Sequence, residues 1–238
     1  MSGDFLFKYR GQIPVLLFFI VIPFIYYTEY DHFSEKLLKE NMIISFLISF
    51  IGFFIRVYTV GTTPAGTSGR NRKKQIAKKL NQTGIYSIIR HPLYLGNFLI
   101  WLGISMYTLN TVFTIFLSLF FFSYYNIIMK TEEKFLEKKF KNEFLLWKKH
   151  TPMLFPSLKN YCKSKCPFSI KTVLKREYSS FLATIFSFFY IQTMINYFNE
   201  ENTIISNNMC YVLIFAIIIT LILRVMKKTS ILDQKGRT

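Results

Sequence analysis

The sequence predicts an all-α fold, a polytopic membrane helical bundle, and three observations support that prediction. Hydrophobic residues make up 51% of the chain, and aromatic residues make up 18%. Apolar runs alternate with strongly basic blocks along the whole sequence. This alternation is typical of membrane-spanning helices joined by polar loops.

About six apolar runs are candidate spans. The first extends from about Gln12 to Thr28 and leads into Glu29 rather than a small-residue cleavage site, which favours a span over a signal peptide. A very short turn at Asn110 joins the third and fourth runs and predicts an antiparallel hairpin. The other predicted spans are 42–60, 93–109, 112–129, 179–198 and 208–226.

The segment after the fourth run predicts an amphipathic helix in the membrane interface. Its sequence, TEEKFLEKKFKNEFLLWKKH, places five apolar side chains roughly along one stripe between lysines and glutamates. Pro152 and Pro156 are expected to end this helix. The stripe consists of Phe135, Leu136, Phe140, Phe144 and Trp147.

The distribution of lysine and arginine predicts the orientation. Of the 30 basic residues, 27 lie before the first span, between the second and third, between the fourth and fifth, or from Arg224 onward. The opposite side carries only Lys36 and Lys39, and Arg56 lies within a span. This bias predicts that both termini are cytoplasmic. The net charge of +17 is expected to attract anionic lipid head groups rather than nucleic acid.

Three regions are expected along the chain. Residues 1–41 would form the first span and a short outer loop, 42–158 a core of three spans with the interfacial helix, and 159–238 a basic loop with two further spans. No metal site is predicted, because Cys162 and Cys166 have no further ligands nearby in the sequence.

The stretch GIYSIIRHPLYLGN, residues 84–97, lies where a basic segment meets the third span. Pro92 suits the first turn of a helix, whose N–H groups and positive dipole end point back toward Arg90 and His91. Such a boundary suits an anionic group. The alternative is that Arg90 snorkels to the interface while Tyr86 and Tyr94 belong to an aromatic belt.

A pair of carboxylates is expected beside this stretch. The tight hairpin places Pro92 and Glu132 at the same depth on adjacent helices, and Glu133 follows directly. The arrangement would bring carboxylates near an arginine, a histidine and a helix N-terminus. The alternative is a solvated helix face on which the glutamates pair with lysines.

RHPLYLGN followed by an apolar hairpin and Glu-Glu resembles the membrane methyltransferases related to isoprenylcysteine carboxyl methyltransferase and phospholipid methyltransferase. The resemblance covers about residues 56–156. It implies an S-adenosylmethionine cofactor held by Tyr86, Arg90, His91, Pro92, Tyr94, Gly96, Glu132 and Glu133. The sequence departs from the family where a glycine is often found, at Lys141, and at two common tyrosines, here Phe144 and Trp147.

The resemblance implies methyl transfer at the cytoplasmic membrane face to a lipid or lipidated acceptor, by carboxyl O-methylation or head-group N-methylation. Arg56, Arg90 and Glu133 are the expected catalytic residues. We hypothesise that His91 and the N–H groups after Pro92 hold the cofactor's carboxylate, while a glutamate takes its ammonium or ribose hydroxyls.

Arg56 and Arg70 are candidates to bind an anionic group of the substrate. An arginine within a span faces the bundle interior or water more often than lipid. The alternatives are that Arg56 snorkels and that Arg70 is a solvated charge in a glycine-rich loop.

Two other functions remain open. A sterol-reductase-like enzyme that binds NADPH shares a similar motif, but the residue after Gly96 is Asn97 rather than an acidic one, and the Glu-Glu pair favours the methyltransferase. A non-enzymatic membrane protein such as a transporter subunit is the third hypothesis. The small number of ionisable residues within the spans argues against an ion-coupled pathway.

Overall fold

A computed structural model describes residues 3–67, 77–199 and 207–237. These ranges contain no β-strand, which confirms the all-α prediction. The helices are α1 (Gly3–Tyr9), α2 (Leu17–Tyr26), α3 (Glu35–Thr62), α4 (Pro92–Tyr107), α5 (Thr111–Phe140), α6 (Asn142–His150), α7 (Ile170–Phe198) and α8 (Asn207–Lys228).

Four helices, α3, α5, α7 and α8, are long and apolar enough to cross a membrane. A fifth crossing is present if α1 and the segment Ile13–Tyr26 count as one, but the two parts are bent by 73°. The predicted third span, α4, has 16 residues, about 24 Å of helix against a hydrocarbon core of about 30 Å. The chain is thus a multi-pass helical protein, and the number of six spans is not confirmed.

Polar caps begin three of the long helices. The side chain of Ser34 accepts a hydrogen bond from the N–H of Leu37, and that of Asn110 accepts one from Phe113 at 2.8 Å. Ser169 caps α7 in the same way. These side chains satisfy N–H groups that have no partner within the helix. Asn110 lies in the short link between α4 and α5, where it fixes the start of the second arm of the hairpin.

Small residues bring α3 and α4 into close contact. A Cβ atom on Gly52 would lie 2.6 Å from the carbonyl oxygen of Gly96, and one on Gly103 would lie 2.3 Å from that of Ser45. Close approach of this kind is the usual way that helices associate in a membrane, where no hydrophobic force drives them together. The contact fixes the depth of the α4 N-terminus relative to α3.

The predicted interfacial helix is divided between two elements. Residues 131–140 continue α5 without a break, and a separate helix, α6, begins at Asn142. The chain turns at Lys141, whose φ is 46° and ψ is −119°. Phe144 and Trp147 of the predicted stripe are buried, whereas Phe135 and Leu136 are only half-buried. The prediction of a single helix is therefore wrong, because Lys141 adopts a non-helical backbone conformation.

Replacing Lys141 with glycine is expected to stabilise the protein by about 1 kcal/mol, since a residue with a side chain is strained at this positive φ. The N–H of Lys141 donates to the carbonyl of Glu137 at 2.9 Å, and glycine keeps that bond. The midpoint of thermal unfolding in detergent measures the effect. Lys141→Ala is the control and should show no gain, because alanine retains the strain; equal gains in both variants would contradict the explanation.

The C-terminal segment after α8 folds back onto α3 and α7. The guanidinium of Arg237 donates to the carbonyl oxygens of Gly61 and Thr63, each at 3.0 Å. Lys175 on α7 forms an ion pair with Asp233 at 2.6 Å. An arginine on the last carbonyls of α3 satisfies acceptors that the helix leaves open. The C-terminal segment thus contacts both helices and holds the start of α7 close to the end of α3.

Candidate functional site

Arg90 joins three elements at the start of α4. Its Nε donates to Oε1 of Glu133 on α5 at 2.8 Å, and both side chains are buried. Its Nη1 donates to the carbonyl oxygens of Lys148 and Thr151, and its backbone N–H donates to that of Pro152 at 2.9 Å. Charge-assisted bonds of this kind are the strong ones. Arg90 therefore fixes the α4 N-terminus against α5 and the end of α6.

His91 lies between the two predicted carboxylates. Its Nε2 is 3.2 Å from Oε1 of Glu133, and its Nδ1 is 3.5 Å from Oε2 of Glu132. Burial lowers the pKa of His91, but its contacts with Glu132 and Glu133 outweigh burial, so the pKa is raised above its usual value of 6.5. When the ring is protonated, its charge balances part of the carboxylate charge.

This contact predicts a pH dependence of stability. Since the folded-state pKa of His91 is raised, its contribution is complete below the unfolded value of about 6.5 and is lost as the pH rises through the folded value. The melting temperature of the detergent-purified protein should fall over that pH range. His91→Gln, which cannot be protonated, should remove this part of the slope; an unchanged slope would contradict the assignment to His91.

Glu132 and Glu133 have different environments although they are neighbours in sequence. The Glu133 side chain is 5% exposed and faces Arg90 and His91. The Glu132 side chain is 18% exposed, accepts a hydrogen bond from the Tyr94 hydroxyl at 2.8 Å and lies 3.4 Å from Nη1 of Arg10. We call Arg90, His91, Tyr94, Glu132 and Glu133 the carboxylate cluster. Within it, Glu132 is the carboxylate that faces open space.

A cavity of about 500 Å³ adjoins the carboxylate cluster. On this side its wall includes Arg10, Tyr86, His91, Pro92, Tyr94 and Glu132. Trp147, which also lines the cavity, donates its indole N–H to the carbonyl of Tyr86 at 2.9 Å. Burial raises the pKa of Tyr86 to about 12, so the hydroxyl is protonated at neutral pH. The cavity thus combines carboxylate, cation and aromatic groups.

A second polar group lines the same cavity. Arg56 on α3 donates through Nε and Nη2 to Oε2 of Glu177 on α7, at 2.9 and 2.7 Å. It also donates to Asn97 on α4 and to the hydroxyl of Ser180 at 3.0 Å. We call Arg56, Asn97, Glu177 and Ser180 the arginine network. Tyr94 and Tyr125 connect it to the carboxylate cluster, because their ring centroids lie 4.8 Å apart and Tyr125 lines the same cavity as Asn97.

The structure brings most of the predicted site residues together, with two exceptions. Gly96 does not line the cavity but packs against Arg56, because a Cβ on Gly96 would lie 2.6 Å from Cγ of that side chain. Arg70 lies outside the described residues. Glu133 belongs to the carboxylate cluster but does not line the cavity. Glu133 and Arg90 are held mainly by protein groups, and both ring nitrogens of His91 face carboxylates.

Several cavity residues were not singled out in the sequence. Arg10, Tyr125, Arg176 and Glu177 all line the cavity but lie outside the two motifs. A signal existed for Arg176 and Glu177, which form a charged pair directly before an apolar run. Arg10 also precedes an apolar run. Neither pattern indicates that the residue reaches the same cavity as Glu132.

Comparison with known proteins finds a family model that matches the central region. Residues 41–143 match the phospholipid methyltransferase family model. The chain is 29% identical over 127 residues to the protein-S-isoprenylcysteine O-methyltransferase of Schizosaccharomyces pombe, covering 47% of this chain and 54% of the relative. No solved structure matches the chain.

Two shorter matches are to bacterial proteins named for metal resistance. The cobalt-zinc-cadmium resistance protein CzcN of Cupriavidus metallidurans is 39% identical over 79 residues, which are 33% of this chain and 36% of that protein. The nickel-cobalt-cadmium resistance protein NccN of Alcaligenes xylosoxydans xylosoxydans is 35% identical over 80 residues, 34% of this chain and 37% of the relative. The chain spans about a third to a half of the curated relatives it matches.

The matched region contains all of α4 and α5, most of α3, and all five members of the carboxylate cluster. The RHPLYLGN and Glu-Glu motifs both fall within it. The resemblance that these motifs indicate is therefore confirmed: residues 41–143 match the phospholipid methyltransferase family model.

Proposed function

We propose that the protein is an integral membrane S-adenosylmethionine-dependent methyltransferase that acts at the cytoplasmic membrane face on a lipid or lipidated acceptor. The observation that carries the proposal is the carboxylate cluster, which lies in the family region and opens through Glu132 into a cavity of about 500 Å³. Small-molecule sites commonly have about 300–1,000 Å³ and a few convergent polar groups.

The donor groups on the cavity wall suit this cofactor. Glu132 suits its ammonium or ribose hydroxyls, because this carboxylate faces the cavity while Glu133 is enclosed. Arg10 suits its carboxylate better than His91 does, since a guanidinium carries five N–H donors and faces Glu132 through one nitrogen, whereas both ring nitrogens of His91 already face glutamates. Tyr86 and Trp147 offer aromatic surface for its purine.

The bound cofactor would supply a methyl group on a sulfonium that already carries its leaving group. The protein then has to align the acceptor and exclude water. The Arg90–Glu133 pair fixes the wall that carries Glu132, and the arginine network forms the wall on the other side of Tyr94 and Tyr125. We assign that second side to the acceptor.

Location and organisation follow from the same proposal. The bias of 27 of 30 basic residues toward one side favours a cytoplasmic carboxylate cluster. The isoprenylcysteine methyltransferase relative supports a lipidated acceptor, and the basic loops favour a bilayer with anionic head groups. We further propose residues 42–158 as the methyltransferase core, flanked by 1–41 and 159–238.

Binding of S-adenosylmethionine and of NADPH to the detergent-purified protein tests the proposal. Saturable binding of S-adenosylmethionine that excess NADPH does not displace is the expected result. Binding of NADPH alone would favour a reductase and overturn the proposal. Binding of neither cofactor by folded protein would also count against it.

A further inference from the structure

Arg56 is closed off by other protein groups although it lies on the cavity wall. Its Nε and Nη2 hold one oxygen of Glu177 at 2.9 and 2.7 Å, and its Nη1 contacts Asn97. The Arg56 side chain is 13% exposed and that of Glu177 is 3% exposed. The arginine network therefore does not present a free cation to an anionic head group.

Breaking the ion pair between Arg56 and Glu177 is energetically unfavourable. Removing one partner of a buried ion pair leaves an uncompensated charge and is strongly destabilising. A carboxylate that approached Arg56 would have to displace Glu177 and leave its charge buried. Apolar side chains on the same cavity wall, including Phe18, Trp101 and Phe186, reduce the screening of such a charge.

Glu177 is also held in place from outside the cavity. Lys175, two residues before it, forms an ion pair with Asp233 at 2.6 Å. Ser169, at the start of α7, hydrogen-bonds Gln234 in the same C-terminal segment. These contacts fix the first turns of α7 against α3, so Glu177 cannot easily withdraw from Arg56. Glu177 itself lies outside the region 41–143 that matches the family.

We propose that Glu177 is a specificity-determining residue: by neutralising Arg56, it makes the acceptor side of the cavity disfavour anionic head groups. The identification of this side as the acceptor side rests on the proposed function. The preference of the cavity for uncharged or cationic groups over anions does not depend on it. A polar head group that is not an anion can instead use Asn97 and Ser180, which supply an amide and a hydroxyl in the arginine network.

Binding of short amphiphiles to Glu177→Gln tests this proposal. Glutamine has the same shape and can still accept a hydrogen bond from Arg56, but it carries no charge. Hexanoate should bind this variant at least about tenfold more tightly than it binds the wild type, because it restores the lost charge balance. Hexylamine should bind more weakly. Both tryptophans of the chain, Trp101 and Trp147, line the cavity, so intrinsic fluorescence reports occupancy.

The reciprocal variant keeps the test valid if Glu177→Gln is poorly folded. Arg56→Gln removes the positive charge that faces Glu177 and should increase hexylamine affinity by a similar factor. The double variant, in which both residues become glutamine, should lose both gains. A merely structural role would weaken folding without reversing the preference between hexanoate and hexylamine. Glu143→Gln is the matched control, since that glutamate is exposed and pairs with Gln82 outside the cavity.

Unchanged hexanoate affinity in folded Glu177→Gln would overturn the proposal, and so would an equal gain in the Glu143 control. These outcomes are separable from failure of the proposed function. Binding of S-adenosylmethionine by the wild type is measured independently of the amphiphiles. A protein that discriminates the amphiphiles as expected but binds no S-adenosylmethionine would refute the methyltransferase and leave the role of Glu177 intact.

Discussion

Glu133→Ala is expected to lower the free energy of unfolding by about 3–5 kcal/mol, because it leaves the buried Arg90 guanidinium and the buried His91 ring without their shared carboxylate. Arg90 and His91 lie 2.8 and 3.2 Å from the same oxygen of Glu133. Loss of the Glu133 carboxylate should also release the end of α6, because Arg90 binds the carbonyl oxygens of Lys148 and Thr151 there. Thermal unfolding in detergent measures the effect.

Glu143→Ala provides the comparison for this variant. Glu143 is an exposed glutamate on α6, and its substitution should change stability by no more than about 0.5 kcal/mol. If Glu133→Ala unfolded at the same temperature as the wild type, Glu133 would not be the anchor of the carboxylate cluster. Similar losses in both variants would point to a general effect of charge removal.

Glu132→Ala should separate cofactor binding from stability. Glu132 faces the cavity, and truncation of a charged group that contacts a ligand typically costs on the order of 100-fold in affinity. The remaining ion pair of Arg90 with Glu133 keeps the helices together, so the melting temperature should fall less than in Glu133→Ala. Equilibrium binding of S-adenosylmethionine and thermal unfolding, measured on the same preparation, give the two quantities.

Glu137→Ala is the matched control for the binding measurement. Glu137 lies one turn further along α5, is about half exposed and contacts Lys148 at 3.9 Å rather than the cavity. It should bind S-adenosylmethionine like the wild type. Wild-type affinity in Glu132→Ala would show that this carboxylate does not hold the cofactor.

The meeting of the two motifs could be predicted from the sequence because its cause is local. The short link at Asn110 forces α4 and α5 into a hairpin, and the number of residues from Pro92 to Glu132 then sets their relative depth. The contacts of His91 with Glu132 and Glu133 agree with that prediction. Pro92 begins α4 as expected, since proline is well suited to a first helical turn.

The arginine network could not be predicted in this way. Arg56 and Glu177 are 121 residues apart in sequence, and their contact depends on how α7 packs against α3. The same applies to Arg10, which approaches Glu132 because the chain bends by 73° between α1 and the following helical segment. The hydropathy of the sequence identifies the apolar run from Gln12 to Thr28, but it does not predict a bend in the chain.

The turn at Lys141 could not be predicted from the sequence for a different reason. The apolar stripe from Phe135 to Trp147 has helical spacing throughout, so periodicity alone predicts a single helix. The resemblance carries the missing information, because glycine is often found at this position in the family. The observed φ of 46° supplies a physical reason for that glycine.

Transfer of a labelled methyl group most directly tests the central claim that this cavity supports methyl transfer to a lipid or lipidated acceptor. Membranes containing the wild type or Glu132→Ala are incubated with methyl-labelled S-adenosylmethionine, and lipid and protein fractions are counted separately. The wild type should label one of these fractions, and Glu132→Ala should lose that label. Labelling in neither fraction by folded wild type, or equal labelling by the variant, would contradict the claim.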